Sequence, residues 1–174
     1  MSNHEIERVF LLDAVPELPA DLAAGAEIWQ VQQGYFDAGN AQSESSGHPE
    51  GRVRRVELPN GETKFYHTVK RGLGLVREER ELELTEEVFA ELWPQTEGCR
   101  LNKTRTRVEV DGQIWEIDQF HDFSLVLAEA ELPSPETALV EPEWLRPHIV
   151  REVTEEPAFR NYELARQSGQ IPGL

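Results

Sequence analysis

Apolar and polar positions alternate through most of this chain, and the pattern is sharpest in Leu125–Leu132. Val126, Ala128, Ala130 and Leu132 make one apolar face at period two. Leu125 and Leu127 make the other face apolar until Glu129 and Glu131 interrupt it. This is the signature of a buried strand carrying two acids where a core strand carries none. Carboxylates are almost never fully buried without partners, and an ionised group taken out of water costs roughly several kcal/mol unless cations or a metal oppose it. Glu129 and Glu131 therefore imply a polar interior lined with opposite charge. Glu5–Leu12 repeats the device: Glu5 and Glu7 precede Val9 and Leu11 on one face, while Ile6, Phe10 and Leu12 occupy the other with Arg8 among them.

The same period predicts further strands. Glu27–Phe36 sets Trp29, Val31, Gln33 and Tyr35 on one face. Arg52–Leu58 and Thr63–Lys70 flank Pro59-Asn60-Gly61-Glu62, and Asn-Gly between alternating runs signals a hairpin. Arg77–Leu84, Arg100–Val110 and Ile114–Phe120 follow, the last two joined by a second hairpin turn at Asp111-Gly112. Asp37–Gly51, rich in Gly, Ser, Asn and Glu, reads as a long mobile loop. Helical signals are few. A short helix is expected between Pro16 and about Leu22, and Thr85–Trp93 has an N-cap residue, acids in its first turn and a stop at Pro94. A tail helix is expected from Glu155 to Gln167, ending near Gly169. About eight strands joined by hairpins favour a mostly β (α+β) fold, an antiparallel barrel or sheet with a few short helices outside.

Length and charge narrow the picture. The chain has 174 residues, which predicts one domain over 1–174 with its core at about 4–166. Its 33 acidic residues against 17 basic ones give a formal charge of −16, which argues against a sequence-independent nucleic-acid binder or a basic membrane-surface protein. Cys99 is the single cysteine, the N-terminus lacks the basic and apolar regions of a signal peptide, and no apolar run is long enough to span a bilayer. A cytoplasmic location follows as the expectation.

The charged strand positions fall into two sets. Acids are Glu5, Glu7, Glu79, Glu81, Asp118, Glu129 and Glu131, with Glu116 as a further candidate; bases are Arg52, Arg54, Lys70, Lys103 and Arg105, with Arg77 as a further candidate. Taken singly, a Glu-x-Glu or Arg-x-Arg pair is more often a solvated sheet face, and Lys103 and Arg105 are equally suited to be cross-strand partners of Glu116 and Asp118. Five or six such strands in one short chain favour convergence. An eight-stranded barrel has a lumen just large enough for side chains or one small ligand. Lined with both signs, it suits a polyanion carried with a divalent metal, since guanidinium and ammonium groups bind phosphoryl oxygens and clustered carboxylates hold Mg²⁺ or Mn²⁺.

Taken in order, Glu5-Ile6-Glu7-Arg8, Gln33-Gly34-Tyr35, Arg52-Val53-Arg54, Thr68-Val69-Lys70, Glu79-Arg80-Glu81, Lys103-Thr104-Arg105, Trp115-Glu116-Ile117-Asp118 and Ala128-Glu129-Ala130-Glu131-Leu132 resemble the CYTH domain, or triphosphate tunnel metalloenzyme family. Trp144-Leu145, Glu152-Val153-Thr154 and Asn161-Tyr162-Glu163-Leu164-Ala165 look like its C-terminal segment. The resemblance implies a closed eight-stranded antiparallel tunnel holding a small-molecule triphosphate with Mg²⁺ or Mn²⁺, and an activity such as that of the short bacterial triphosphatases. By motif, Arg52, Arg54, Lys70, Lys103 and Arg105 would hold phosphate oxygens. Glu5, Glu7, Glu129 and Glu131, with Asp118, Glu79 and Glu81, would hold metal and position water, and Tyr35, which matches a tyrosine near the family's catalytic lysine, would be the catalytic residue. One position departs. The opening signature is Glu-x-Glu-x-Lys, and Val9 stands at the lysine. Arg8 does not substitute, because alternation points it to the other face.

Three functions follow in order of expectation: metal-dependent hydrolysis of inorganic triphosphate or a related triphosphate, a catalytically weak polyphosphate or nucleotide binder, and class IV adenylate cyclase, for which no base-reading feature is evident. The five histidines, His4, His48, His67, His121 and His148, have no zinc-like spacing, and no Gly-x-x-x-x-Gly-Lys loop is present. The oligomeric state is left open, with a homodimer among the options.

Overall fold

Alternation of the kind described above leaves each strand with one face for an outer apolar layer and one for a polar interior, and pairing satisfies the backbone between them. The structure, a computed structural model, describes residues 3–36, 51–71 and 76–167, with side chains described except at 3–5, 71 and 76–77. Nine strands form one antiparallel sheet: β1 (Asn3–Leu12), β2 (Glu27–Tyr35), β3 (Arg52–Glu57), β4 (Thr63–Arg71), β5 (Val76–Leu84), β6 (Arg100–Val110), β7 (Gln113–Phe120), β8 (Val126–Glu131) and β9 (Ile149–Glu152). Their order is β5-β4-β3-β2-β6-β7-β8-β1-β9. Strand β1 also pairs with β5, Asn3 opposite Glu79 and Ile6 opposite Val76, on the edge where it meets β9 further along. The fold is mostly β, as expected, and the short β9 is an addition to the expected set.

Both hairpin turns are as the sequence indicates. Asp111 and Gly112 have positive φ, 51° and 79°, the backbone of a two-residue turn whose twist matches its strands. Gly61 at φ 82° closes the other, with Leu58 N–H donating to Glu62 O at 2.8 Å. Helices are short: α1 (Ala20–Ala23), α2 (Glu86–Leu92) and α3 (Asn161–Arg166). Thr85 caps α2 by accepting from Val88 N–H at 3.4 Å, and a 3₁₀ turn at Trp93–Thr96 ends it. The tail differs from expectation. Pro157 starts a 3₁₀ turn over Pro157–Phe159, and α3 begins only at Asn161, so the expected helix from Glu155 is broken into two pieces. Gly169 and the loop at 37–50 lie outside the described residues. No helix among the described residues is long and apolar enough to cross a membrane.

Three apolar clusters hold the sheet. Phe10, Leu12, Trp115, Ile117, Ala128, Ala130 and Leu145 form the first, built on the outward positions of β1, β7 and β8 under the C-terminal segment. Phe36, Val53, Phe65 and Phe89 join the β3–β4 hairpin to α2. The third gathers Leu11, Leu101, Leu127, Phe159, Leu164 and Ala165, and Val9 packs against it. Burial of such side chains is worth about 1.5–3 kcal/mol each. The third cluster uses the face of β1 and β8 that carries the acids, so each of these strands is polar toward one end and apolar toward the other on that face.

Candidate functional site

Register carries the charges to one place. Across β6, β7, β8 and β1, Arg107 lies opposite Glu116, Glu116 opposite Glu129, and Glu129 opposite Val9; Glu131 lies opposite Glu7. Across β3, β4 and β5, Arg52 lies opposite Thr68, Thr68 opposite Glu81, and Lys70 opposite Glu79. These rows face a common cavity of about 540 Å³, within the range of small-molecule sites. Every strand from β1 to β8 contributes to its wall: Glu7 and Val9, Trp29 and Tyr35, Arg52 and Arg54, Thr68 and Lys70, Glu79 and Glu81, Arg105 and Arg107, Ile114 and Glu116, Glu129 and Glu131.

Of the residues singled out from sequence, Glu7, Tyr35, Arg52, Arg54, Lys70, Glu79, Glu81, Arg105, Glu116, Glu129 and Glu131 are brought together on this wall. The side chains of Glu5 and Arg77 lie outside the described residues. Lys103 and Asp118 belong to the inward rows but not to the wall: their side chains are 2% and 0% exposed, and they pair with each other at 2.5 Å behind it. Arg8 faces away, as alternation requires, and donates to both oxygens of Glu152 at 2.9 and 2.6 Å.

Arg105 organises one side of the cavity. Its Nε and Nη2 donate to the two oxygens of Asp118 at 2.6 and 2.7 Å, Nη2 also donates to Glu129 at 2.8 Å, and Nη1 to Glu116. Burial opposes its charge, but Asp118, Glu116 and Glu129 outweigh burial and hold the guanidinium well above its ordinary value. Asp118 is held well below the usual carboxylate range: burial works the other way, and Arg105 and Lys103 overcome it. Lys103 is pushed down by burial and by neighbouring Arg105, with Asp118 offsetting part of this.

On the opposite side Arg54 donates to Glu81 at 2.6 Å, and the Thr68 hydroxyl donates to the same oxygen at 2.7 Å. Lys70 lies 3.1 Å from Glu79. Arg54 is pushed down, first by burial and next by the charge of Arg52, with Arg105 adding to it. Its Nε is buried with no acceptor. Crowded guanidinium groups, one with an unanswered donor, favour an anion in the cavity. Tyr35 is buried, its hydroxyl accepting from Gln33 Nε2 at 3.0 Å and its ring edge-on to Tyr162 at 5.5 Å.

The family's implied metal can be tested against these donors. Carboxylate oxygens are what Mg²⁺ and Mn²⁺ take, and Glu7, Glu79, Glu81, Glu129 and Glu131 supply them on one wall. The donor chemistry fits. Among the described residues no three such groups are already gathered as a cage, because Glu79, Glu81 and Glu129 lean on cations.

Sequence reasoning missed two parts of the wall. Arg107 lines it and pairs with Glu116 at 3.5 Å; it is the next same-face position after Lys103 and Arg105, so period two alone would have found it. Val153, Thr154, Glu156, Phe159, Arg160, Asn161 and Tyr162 line it from the C-terminal segment, which no periodicity marks.

A mostly β protein whose strands line an ion-paired polar cavity is the class that fold and site define. No family model matches the chain. Over 168 residues, covering 92% of this chain and 96% of the relative, it is 33% identical to the inorganic triphosphatase of Nitrosomonas europaea. It is 35% identical over 68 residues to the inorganic triphosphatase of Acetivibrio thermocellus, 38% of this chain and 41% of that one. Among solved structures it resembles the inorganic triphosphatase NE1496, with a TM-score of 0.58, 28% identity and 97% of both chains covered. The chain belongs to the CYTH family, the triphosphate tunnel metalloenzymes.

Proposed function

We propose that this protein hydrolyses inorganic triphosphate to pyrophosphate and phosphate inside a closed eight-stranded tunnel. The observation that carries the reading is the convergence of Arg52, Arg54, Lys70, Arg105, Glu7, Glu79, Glu81, Glu129 and Glu131 on one cavity. The pairing of β1 with β5 supports closure of the tunnel, and the named triphosphatases of the family support the substrate.

Arg52, Arg54 and Lys70 would hold one side of the triphosphate and Arg105 the other, neutralising the substrate and the charge that gathers on the leaving pyrophosphate. Glu7, Glu79, Glu81, Glu129 and Glu131 would hold Mg²⁺ or Mn²⁺, which when bound polarises phosphoryl oxygens. Substrate takes the cations, and the carboxylates they release become available to metal, so the ion pairs of this structure serve as mutual counterions. Lys103 and Asp118 set Arg105 from behind. Tyr35 positions neighbouring groups through Gln33 and Tyr162. A cytoplasmic setting belongs to the same reading.

Phosphate release from tripolyphosphate with Mg²⁺ or Mn²⁺ tests the proposal. Arg54→Ala and Glu129→Ala are each expected to lower turnover by about 10²-fold or more. Absence of metal-dependent release, or full activity in both variants, overturns it. Val9 favours a second reading, a triphosphate binder with little turnover, because an apolar side chain lines the cavity where the family signature has lysine.

A further inference from the structure

We propose that Arg160 binds the triphosphate and supplies the positive charge that Val9 withholds from the β1 face; this rests on the reading of the cavity as a triphosphate site. The C-terminal segment is fastened to Val9 itself. Val153 N–H donates to Val9 O at 2.8 Å, and Val9 N–H donates to Thr154 Oγ1 at 3.0 Å. The Val9 side chain packs against the cluster that contains Val153 and Phe159. The segment next turns into the cavity, and Arg160 stands on its wall.

Its backbone is fixed there. Arg160 N–H donates to Pro157 O at 3.0 Å, and its carbonyl accepts from Leu164 N–H at 3.0 Å in the first turn of α3. Both flanking residues are anchored: Phe159 is buried, and Asn161 Oδ1 accepts from Lys103 Nζ at 3.4 Å. Tyr162 rests against Tyr35. The side chain is therefore carried on a rigid support rather than on a swinging tail.

The charge state of its surroundings sets Arg160 apart. Arg54, Lys70, Arg105 and Arg107 each lie against a wall carboxylate. Arg151 in the same segment takes Glu156, and Glu163 takes Arg166. Among the described residues no carboxylate reaches ion-pairing distance of Arg160. Arg54, Lys70, Arg105 and Arg107 must each exchange a carboxylate for phosphate when substrate enters. Arg160 has none to give up, and a guanidinium fork matches phosphate oxygens. A new cation from the C-terminal segment thus faces the cavity that has lost one from β1.

Calorimetry of tripolyphosphate binding in EDTA, beside phosphate-release kinetics with Mg²⁺, tests the assignment in the full chain. Arg160→Ala is expected to weaken binding about 10- to 100-fold, the range of one hydrogen-bonded charged contact, and to raise KM. Arg160→Gln, which keeps the stem, should show the same loss with an unchanged melting temperature. Adding Val9→Lys to Arg160→Ala should restore most of the affinity. If Arg160→Ala and Arg160→Gln bind within twofold of wild type while Arg54→Ala loses binding, this inference falls and the site reading stands. If wild type neither binds nor cleaves tripolyphosphate, both fall.

Discussion

Arg105 grips Asp118 with two parallel hydrogen bonds, Nε to Oδ1 at 2.6 Å and Nη2 to Oδ2 at 2.7 Å, at a carboxylate that water does not reach. Removing one member of a buried pair leaves uncompensated charge, which costs about 3–5 kcal/mol. Asp118→Asn is expected to destabilise the protein by that amount, since Lys103 loses its partner at 2.5 Å as well. Urea denaturation of wild type and variant measures it, and a loss below about 1 kcal/mol contradicts this role.

The same carboxylate sets an acid limit. Its native value lies below the ordinary 3.8, so its contribution is complete above that pH and is lost as pH falls toward the lowered native value. The stability gap between wild type and Asp118→Asn should therefore be constant from neutral pH to about 5 and shrink steadily below about 4. Denaturation midpoints over this range check it. A gap that widens on acidification reverses the sign and refutes the assignment.

Gly34 is expected to reject a methyl group. A Cβ there would meet Thr96 Oγ1 and lie 2.6 Å from Thr96 Cβ. Thr96 cannot easily yield, because its hydroxyl donates to Trp93 O at 2.8 Å and accepts from Arg100 Nε at 3.0 Å. Gly34→Ala should cost about 1–3 kcal/mol, the range for overpacking, seen as a lowered thermal midpoint. An unchanged midpoint would show that β2 and the 3₁₀ turn separate freely.

Val9 lies opposite Glu129 in the β1–β8 ladder and on the cavity wall. Val9→Lys adds an ammonium group beside that carboxylate and the substrate. It is expected to raise kcat/KM for tripolyphosphate by about tenfold, the worth of one charged contact. Wild type that binds without cleaving, joined to turnover in Val9→Lys, selects the binder reading; wild-type turnover selects the enzyme.

Much of this arrangement was legible in the sequence because a strand's period of two is strict. Glu129 and Glu131 interrupt an apolar face, and charged pairs at the same period on five or six strands point to an inner polar surface. Asp111-Gly112 and Thr85 carry their local geometry in their chemistry. Depth along the strand is less legible: alternation sets Lys103 and Asp118 on the inner face but does not say that they sit behind the wall at 2% and 0% exposure. Strand β9 and Arg160 were beyond reach for another reason. Four residues with no strong alternation form a strand only because β1 offers an edge, and Arg160 reaches the cavity because Val9, Lys103 and Tyr35, all distant in sequence, hold its segment. The expected tail helix passed over Pro157, where the 3₁₀ turn begins and the helix breaks.

The most direct test of the central claim is a crystal structure with a non-hydrolysable triphosphate analogue and Mg²⁺. Phosphate oxygens seated between Arg54 and Arg105, with Glu81 and Glu129 released toward the metal, are the expected result. Ordered analogue elsewhere on the molecule, with the Arg54–Glu81 and Arg105–Glu129 pairs intact, would contradict it.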